Sequence, residues 1–488
     1  MNKRSTRQTF VLGVVSAALI GGGFSATTQA AIPMNIWTTI VVDANNDGCF
    51  GNAAADVNGD GYKDIVSNKW LYINPGGQGT NAMIGAWQRY AIAPDVNNLD
   101  ASVMLDMNGD NQPEIFAEAL PDIHYLRKAN AAGTQWTDLI VGNAPSGGHG
   151  NGQGWKVADI DPTRGGATGK LPEIVICAEN STFYYFVIAA NPASAWTRVT
   201  IGTDAPDNQG VDAVDLDGDG FVDVTANYHD GNNIAWYKNP GNGAANWQPY
   251  VIGRTAQPVD RIVFGDFNGD GKVDIAYSES EGNGCQVGWM QNPGTPTQAN
   301  WTKHVIVTQD GTYSMQTADI DQDGDLDLVT GETTNKHVRF WQNSGQGTFA
   351  QVANYDLDAH HSLPLIDLDG DGDLDVIVLG WFDRALRVLR NDGNPLNKPS
   401  GTAVSNYVAL PQSDASLRIE KQKNGLWLRV SSEEHARRIE LLDMRGKIID
   451  NSDECATTFL RAPGPGEYVV RADMDGRIVS RIVFVVGK

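Results

Sequence analysis

The nine residues Asp367-Leu368-Asp369-Gly370-Asp371-Gly372-Asp373-Leu374-Asp375 decide the reading of this 488-residue chain, because their phrase returns along it. It reads DVNGDGYKD at Asp56–Asp64, DMNGDNQPE at Asp106–Glu114, DLDGDGFVD at Asp215–Asp223, DFNGDGKVD at Asp266–Asp274 and DIDQDGDLD at Asp319–Asp327. A degenerate copy starts at Asp159-Ile160-Asp161 and resumes at Glu173. Successive copies start 50, 53, 56, 51, 53 and 48 residues apart, and no gap is wide enough for an eighth. Near-constant spacing of this size marks a repeat architecture with one supersecondary unit per period.

Each phrase runs into an apolar, β-branched stretch such as Ile65-Val66, Leu328-Val329 or Val376-Ile377-Val378. A second strand with an Asn-Pro-Gly turn comes next, as in Trp236-Tyr237-Lys238-Asn239-Pro240-Gly241, and an aromatic-led strand such as Trp301-Thr302-Lys303-His304 closes the unit. Four short strands per period make one propeller blade. Trp37-Thr38-Thr39-Ile40 repeats the closing strand ahead of the first phrase, while the seventh phrase has none after it. The N-terminal strand can therefore complete the last blade and close a seven-bladed ring. A linear solenoid would need polar capping repeats, which the sequence lacks.

Calcium takes about six to eight oxygen ligands, and a tight loop supplies them from alternate positions one, three and five, a carbonyl at seven and a carboxylate at nine. The side chains so placed are Asp56, Asn58, Asp60 and Asp64; Asp106, Asn108, Asp110 and Glu114; Asp215, Asp217, Asp219 and Asp223. They continue with Asp266, Asn268, Asp270 and Asp274; Asp319, Asp321, Asp323 and Asp327; Asp367, Asp369, Asp371 and Asp375. Asp, Asn and Gly are also ordinary turn formers, but recurrence in register favours metal sites over solvated turns. Magnesium, which keeps its waters and demands an octahedron, fits less well. The third copy replaces its central acids with Pro162–Lys170, so no calcium is expected there.

The phrase D-x-[DN]-G-D-G-x-x-D before an apolar strand resembles the FG-GAP/VCBS calcium-loop repeat of integrin-type propellers and secreted bacterial proteins. The likeness covers roughly residues 37–392 and implies a propeller with structural calcium; it is silent about the ligand.

Formal charge is −23, which speaks against nucleic acid as a partner; the acidic loops carry enough carboxylates to account for the whole deficit. Cys49, Cys177, Cys285 and Cys455 form no CxxC pair, leaving room for at most two disulfides. Residues 1–30 read as a signal peptide: Lys3, Arg4 and Arg7, an apolar run from Phe10 to Ile20, then small residues ending at Ala30. That run is too short to span a bilayer, so no transmembrane segment is expected and the mature chain is read as secreted or cell-surface. Residues 31–392 are the propeller and 393–415 a linker rich in Asn, Pro, Ser and Gly. Residues 416–488 read as a small C-terminal β-sandwich, giving an all-β fold throughout. Leu442-Asp443-Met444-Arg445-Gly446-Lys447, then Pro465-Gly466-Glu467-Tyr468 and a terminal apolar strand, resembles the sorting domain of type IX secretion cargo. That likeness implies export through secretion machinery.

If the acidic loops join first to second strands, they share one face of the disc, and the other face collects the segments before the first strands and the hairpins after the second. Candidate ligand-binding residues there are His149, within a run of glycines, Arg261, Tyr313, His360, His361, Glu279, Glu332 and Trp381. Such polar and aromatic groups around a funnel suit a glycan or a cell-surface ligand. The same groups could instead serve a polysaccharide lyase or sugar dehydratase, with a histidine as base; a structural adhesion protein is the third reading. No GxSxG, HExxH, P-loop or dinucleotide fingerprint occurs, and no catalytic residue is assigned.

Overall fold

The computed structural model describes residues 32–46, 48, 51–145, 154–161, 171–177, 181–360 and 363–393, and the strand backbones at 417–421, 427–443, 448–461, 466–474 and 477–485. Blade one is a four-stranded antiparallel sheet of Asn52–Ala55, Asp64–Ser67, Trp70–Ile73 and Gln88–Ala91, in chain order. Blades two to six repeat it over 100–143, 154–202, 211–254, 259–309 and 312–355. Blade seven takes only three strands from its own repeat, Leu365–Ile366, Asp375–Leu379 and Leu386–Asn391. Its fourth is Trp37–Asp43, which pairs antiparallel to the third with Trp37 opposite Asn391 and Ile40 opposite Val388. The ring closes as the sequence requires: a missing last strand is supplied by an extra first one.

Apolar side chains on both faces of each sheet meet those of the next blade. Ile234, Trp236 and Ile252 of blade four pack on Phe264, Ile275 and Met290 of blade five. Equivalent layers fill the remaining junctions, including Ile377 and Val388 of blade seven against Ile65 and Tyr72 of blade one. Second strands are accordingly buried throughout, as in Asp223–Tyr228, whereas the outermost strands alternate toward solvent. Glycines ahead of the first strands let neighbours crowd the axis: a Cβ on Gly210 would lie 2.7 Å from the Asp260 carbonyl oxygen.

Cys177 and Cys285 are buried and outside any disulfide; Cys49 lies outside the described residues. The five C-terminal strands pair into one antiparallel sheet, in which Trp427–Asp443 is long enough to hold partners on both sides. No helix among the described residues is long and apolar enough to cross a membrane. The signal peptide and the linker of the sequence reading lie outside the described residues.

Candidate functional site

Every acidic phrase among the described residues sits between the first and second strands of its blade, on one face of the disc. The first acid organises the turn. Asp56 Oδ1 accepts the amides of Gly59 (2.7 Å) and Asp60 (3.2 Å), and Oδ2 that of Gly61 (2.9 Å), with both glycines at positive φ. Asp106, Asp215 and Asp266 repeat the pattern. The turn gathers the remaining oxygens. Carboxylate oxygens of Asp215, Asp217 and Asp223 lie within 4.8 Å of one another, as do those of Asp319, Asp321 and Asp327, and of Asp367, Asp369 and Asp371.

The ninth-position carboxylate is buried in each blade and ties the loop to the strands. Asp223 Oδ2 accepts the Leu216 amide (3.1 Å) and Oδ1 the amide of Asn239 (2.8 Å), beyond the third strand. Burial pushes Asp64, Glu114, Asp223, Asp274 and Asp327 up to about 7 despite these amides, and Glu173 to about 8; neighbouring acids add to the rise, except that at Asp223 Lys238 opposes it. A cation would remove that penalty. The donor set is hard oxygen, and Asp319 Oδ1 is buried with no hydrogen-bond partner, so these loops fit calcium. Blade four differs: the Lys238 ammonium bridges Asp217 and Asp219.

One set of residues was read in the sequence only as turn formers. Asn74, Asn239, Asn292, Asn343 and Asn391 each end or directly follow a third strand in an Asn-x-Gly turn, and each donates its amide to the ninth-position Asp. Their side-chain oxygens accept the amide two residues on. Three of the side-chain NH2 groups reach the preceding blade, at Leu368 O from Asn74 (3.1 Å), Ile160 O from Asn239 (2.8 Å) and Phe267 O from Asn343 (2.9 Å). Blades two and three carry Lys128 and Ile188 at this register position, and there the ninth-position acid is Glu114 or Glu173. Lys128 Nζ still reaches Val57 O of blade one, at 2.6 Å. The recurring Asn-x-Gly was the signal for this clamp.

On the opposite face the structure brings three of the expected ligand residues together. Tyr313, in the first strand of blade six, stacks on His360 at 4.9 Å and 17°. His360 in turn stacks on Trp381, in the blade-seven hairpin, at 5.2 Å and 26°. Trp381 is 44% exposed and Phe382, unremarked in the sequence, 64%. Burial, assisted by the Arg261 charge, pushes His360 down to about 2, so its ring is neutral. Arg261 is buried in blade five, paired with Asp260 and donating to Gln209 O (3.1 Å). Glu279 is buried in its hairpin, its carboxylate accepting the amides of Ala256 and Gln286. Glu332 is equally buried and pairs with Arg339. His149 and His361 lie outside the described residues. A cleft of about 710 Å³ opens elsewhere on this face, between blades one and two, but its His124 is already paired to Asp138 at 2.8 Å.

With that geometry in view, residues 215–277, 266–330 and 321–378 match the FG-GAP-like repeat. The chain is thus a seven-bladed propeller in which residues 215–378 match FG-GAP-like repeats. In fold it is similar to a chain of apo ctPRC2 in an autoinhibited state, at 11% identity and a TM-score of 0.50, covering 74% of this chain and 99% of that one. It is also similar to BBS1N in complex with ARL6DN, at 14% identity and 0.47, covering 73% and 97%. A third similar structure is an Agrocybe aegerita lectin recognising non-reducing terminal N-acetylglucosamine, at 16% and 0.43, covering 63% and 81%. No curated protein sequence matches the chain.

Proposed function

We propose that this chain is an exported, calcium-stabilised propeller that binds a glycan or cell-surface ligand on the face opposite its acidic loops. The observation that carries the reading is the continuous stack of Tyr313, His360 and Trp381, whose outer ring is open to solvent beside Phe382. Sugar rings present apolar C–H faces that such a surface covers, and a stack backed by buried side chains loses little freedom on binding. Calcium, held by the clustered acids of the loops, fixes the first two strands of each blade by binding the folded chain alone. In blade four it would have to displace Lys238. The leader-like first thirty residues and the sorting-domain-like C-terminus support export.

The stack itself supplies no general base. A general base works best with a pKa near the operating pH. Burial holds His360 far below that range, and burial with the charges of Asp260 and Glu281 lifts the Tyr313 phenol to about 12. The test is a glycan array followed by calorimetry. Trp381→Ala should weaken the best ligand roughly tenfold, the worth of one good aromatic contact, and leave the thermal midpoint of this exposed position in place. Undiminished binding by the variant would remove the stack from the site.

A further inference from the structure

A second cluster of ligating side chains lies on the ligand face of blade four, away from every acidic phrase. Asp207 precedes the first strand of that blade, and His229 and Asp230 form the short 3-10 turn between its second and third strands. One ligating atom from each of the three lies within 4.8 Å of the others. His229 is 6% exposed, and its Nδ1 stands 3.1 Å from Asp207 Oδ2, yet off the line of a hydrogen bond and with no other partner for that nitrogen. A buried imidazole nitrogen set against one carboxylate out of hydrogen-bond line, with a second carboxylate in reach of the ring, is the arrangement that a shared cation resolves.

The surroundings are strongly negative. Burial alone would lower the His229 pKa, but Asp207, Asp260 and Glu281 outweigh it and raise it. Asp260 is wholly buried and paired to Arg261, so that cation is already engaged.

We propose that Asp207, His229 and Asp230 bind one divalent transition-metal ion, with zinc as the best match. One imidazole nitrogen and two carboxylates form a donor set that calcium, which prefers oxygen alone, does not favour and that zinc accepts. Three protein ligands leave a fourth position open. Asp230 is exposed, so that position is reachable from solvent. The His229–Gly231 turn and the aromatic stack lie on the same face of the disc. An ion held there would present a Lewis-acidic point to a ligand oxygen. This proposal stands whether or not the aromatic stack binds a glycan.

The experiment is calorimetric titration of the full chain with Zn2+ in excess calcium, which keeps the acidic loops occupied, alongside Co2+ loading read by visible absorption. Wild type should take up one equivalent of zinc that His229→Ala lacks, and Co2+ should give nitrogen-ligated d–d bands lost in the same variant. Because His229 is buried, Asp230→Asn serves as the second variant: its side chain is exposed, its fold should hold by circular dichroism, and zinc affinity should fall at least tenfold. Equal zinc uptake by wild type and both variants, or no uptake by wild type in calcium, would overturn the assignment.

Discussion

Blades one, four, five, six and seven differ from blades two and three in one coupled choice. In the first group an Asp ends the acidic phrase and an Asn-x-Gly turn follows the third strand; in the second, Glu114 and Glu173 end it, and Lys128 and Ile188 stand where the Asn would be. The Asp arm is short, so it reaches the Asn amide only because the Asx turn holds that amide close, at 2.8–2.9 Å in all five blades. A Glu arm is longer and turns back to its own loop. Glu114 accepts Met107 N and the Asn108 side chain, and Glu173 accepts Ile160 N and Asp161 N. Acidic loop and Asn turn are thus joined through one carboxylate in the Asp blades, three of which extend the joint to the preceding blade, and are separate in the Glu blades.

Removing calcium strikes the common part of that device and should have the largest effect. A ligand at a hundred times its Kd adds about 2.7 kcal/mol per site, and several loops are involved. Chelation should therefore lower the thermal midpoint on the order of 10 °C or more, judged from the size dependence of such shifts, with recovery on adding calcium. A melting curve indifferent to chelator would leave the loops as turns stabilised by their own amides.

Cutting the clamp alone should cost less, and unequally between the two groups. Asn343→Ala strips the buried Phe267 O and the half-buried Leu326 O of their donor and frees the Gly345 amide, for a loss of about 2–3 kcal/mol in denaturant melts. Lys128→Ala removes a single half-buried donor, the one on Val57 O, for about 1 kcal/mol. Equal losses would mean that the Asn does no more than shape its turn.

Much of this was legible in the sequence, and the boundary of what was legible is physical. Repeat period, blade number and the strand that closes the ring follow from spacing and from an aromatic-led strand that is present once too early and absent once at the end. The clamp was visible as letters but not as function, because an Asn before x-Gly is already explained by the turn it makes; only the strand register shows Lys128 in the same place. The stack of Tyr313, His360 and Trp381 joins residues far apart in the chain, which the sequence could assign to a face but not to one another. Buried Glu279 and Glu332 looked like Trp381 in sequence, since a hairpin position does not disclose whether a carboxylate points to solvent or to backbone amides.

The smallest expected effect separates blade three from the blades with complete acidic loops. Glu173 is pushed from its ordinary 4.5 up to about 8, chiefly by burial and then by Asp159 and Asp161, against the two amides it accepts. Because the folded state holds this proton more tightly than the unfolded one, its contribution to stability is complete below about 4.5 and is lost as pH rises through about 8. Glu173→Gln keeps an acceptor for those amides and has no proton to lose. Wild type and variant should match near pH 5, and the variant should gain as pH rises, by on the order of 1 kcal/mol at pH 8.5 once relaxation of the loop is allowed for. Calcium should leave this difference in place, since the stretch 162–170 contains no acid to bring an ion near Glu173. If calcium erases the difference, blade three binds metal too, and the contrast between Glu and Asp blades is one of clamp alone.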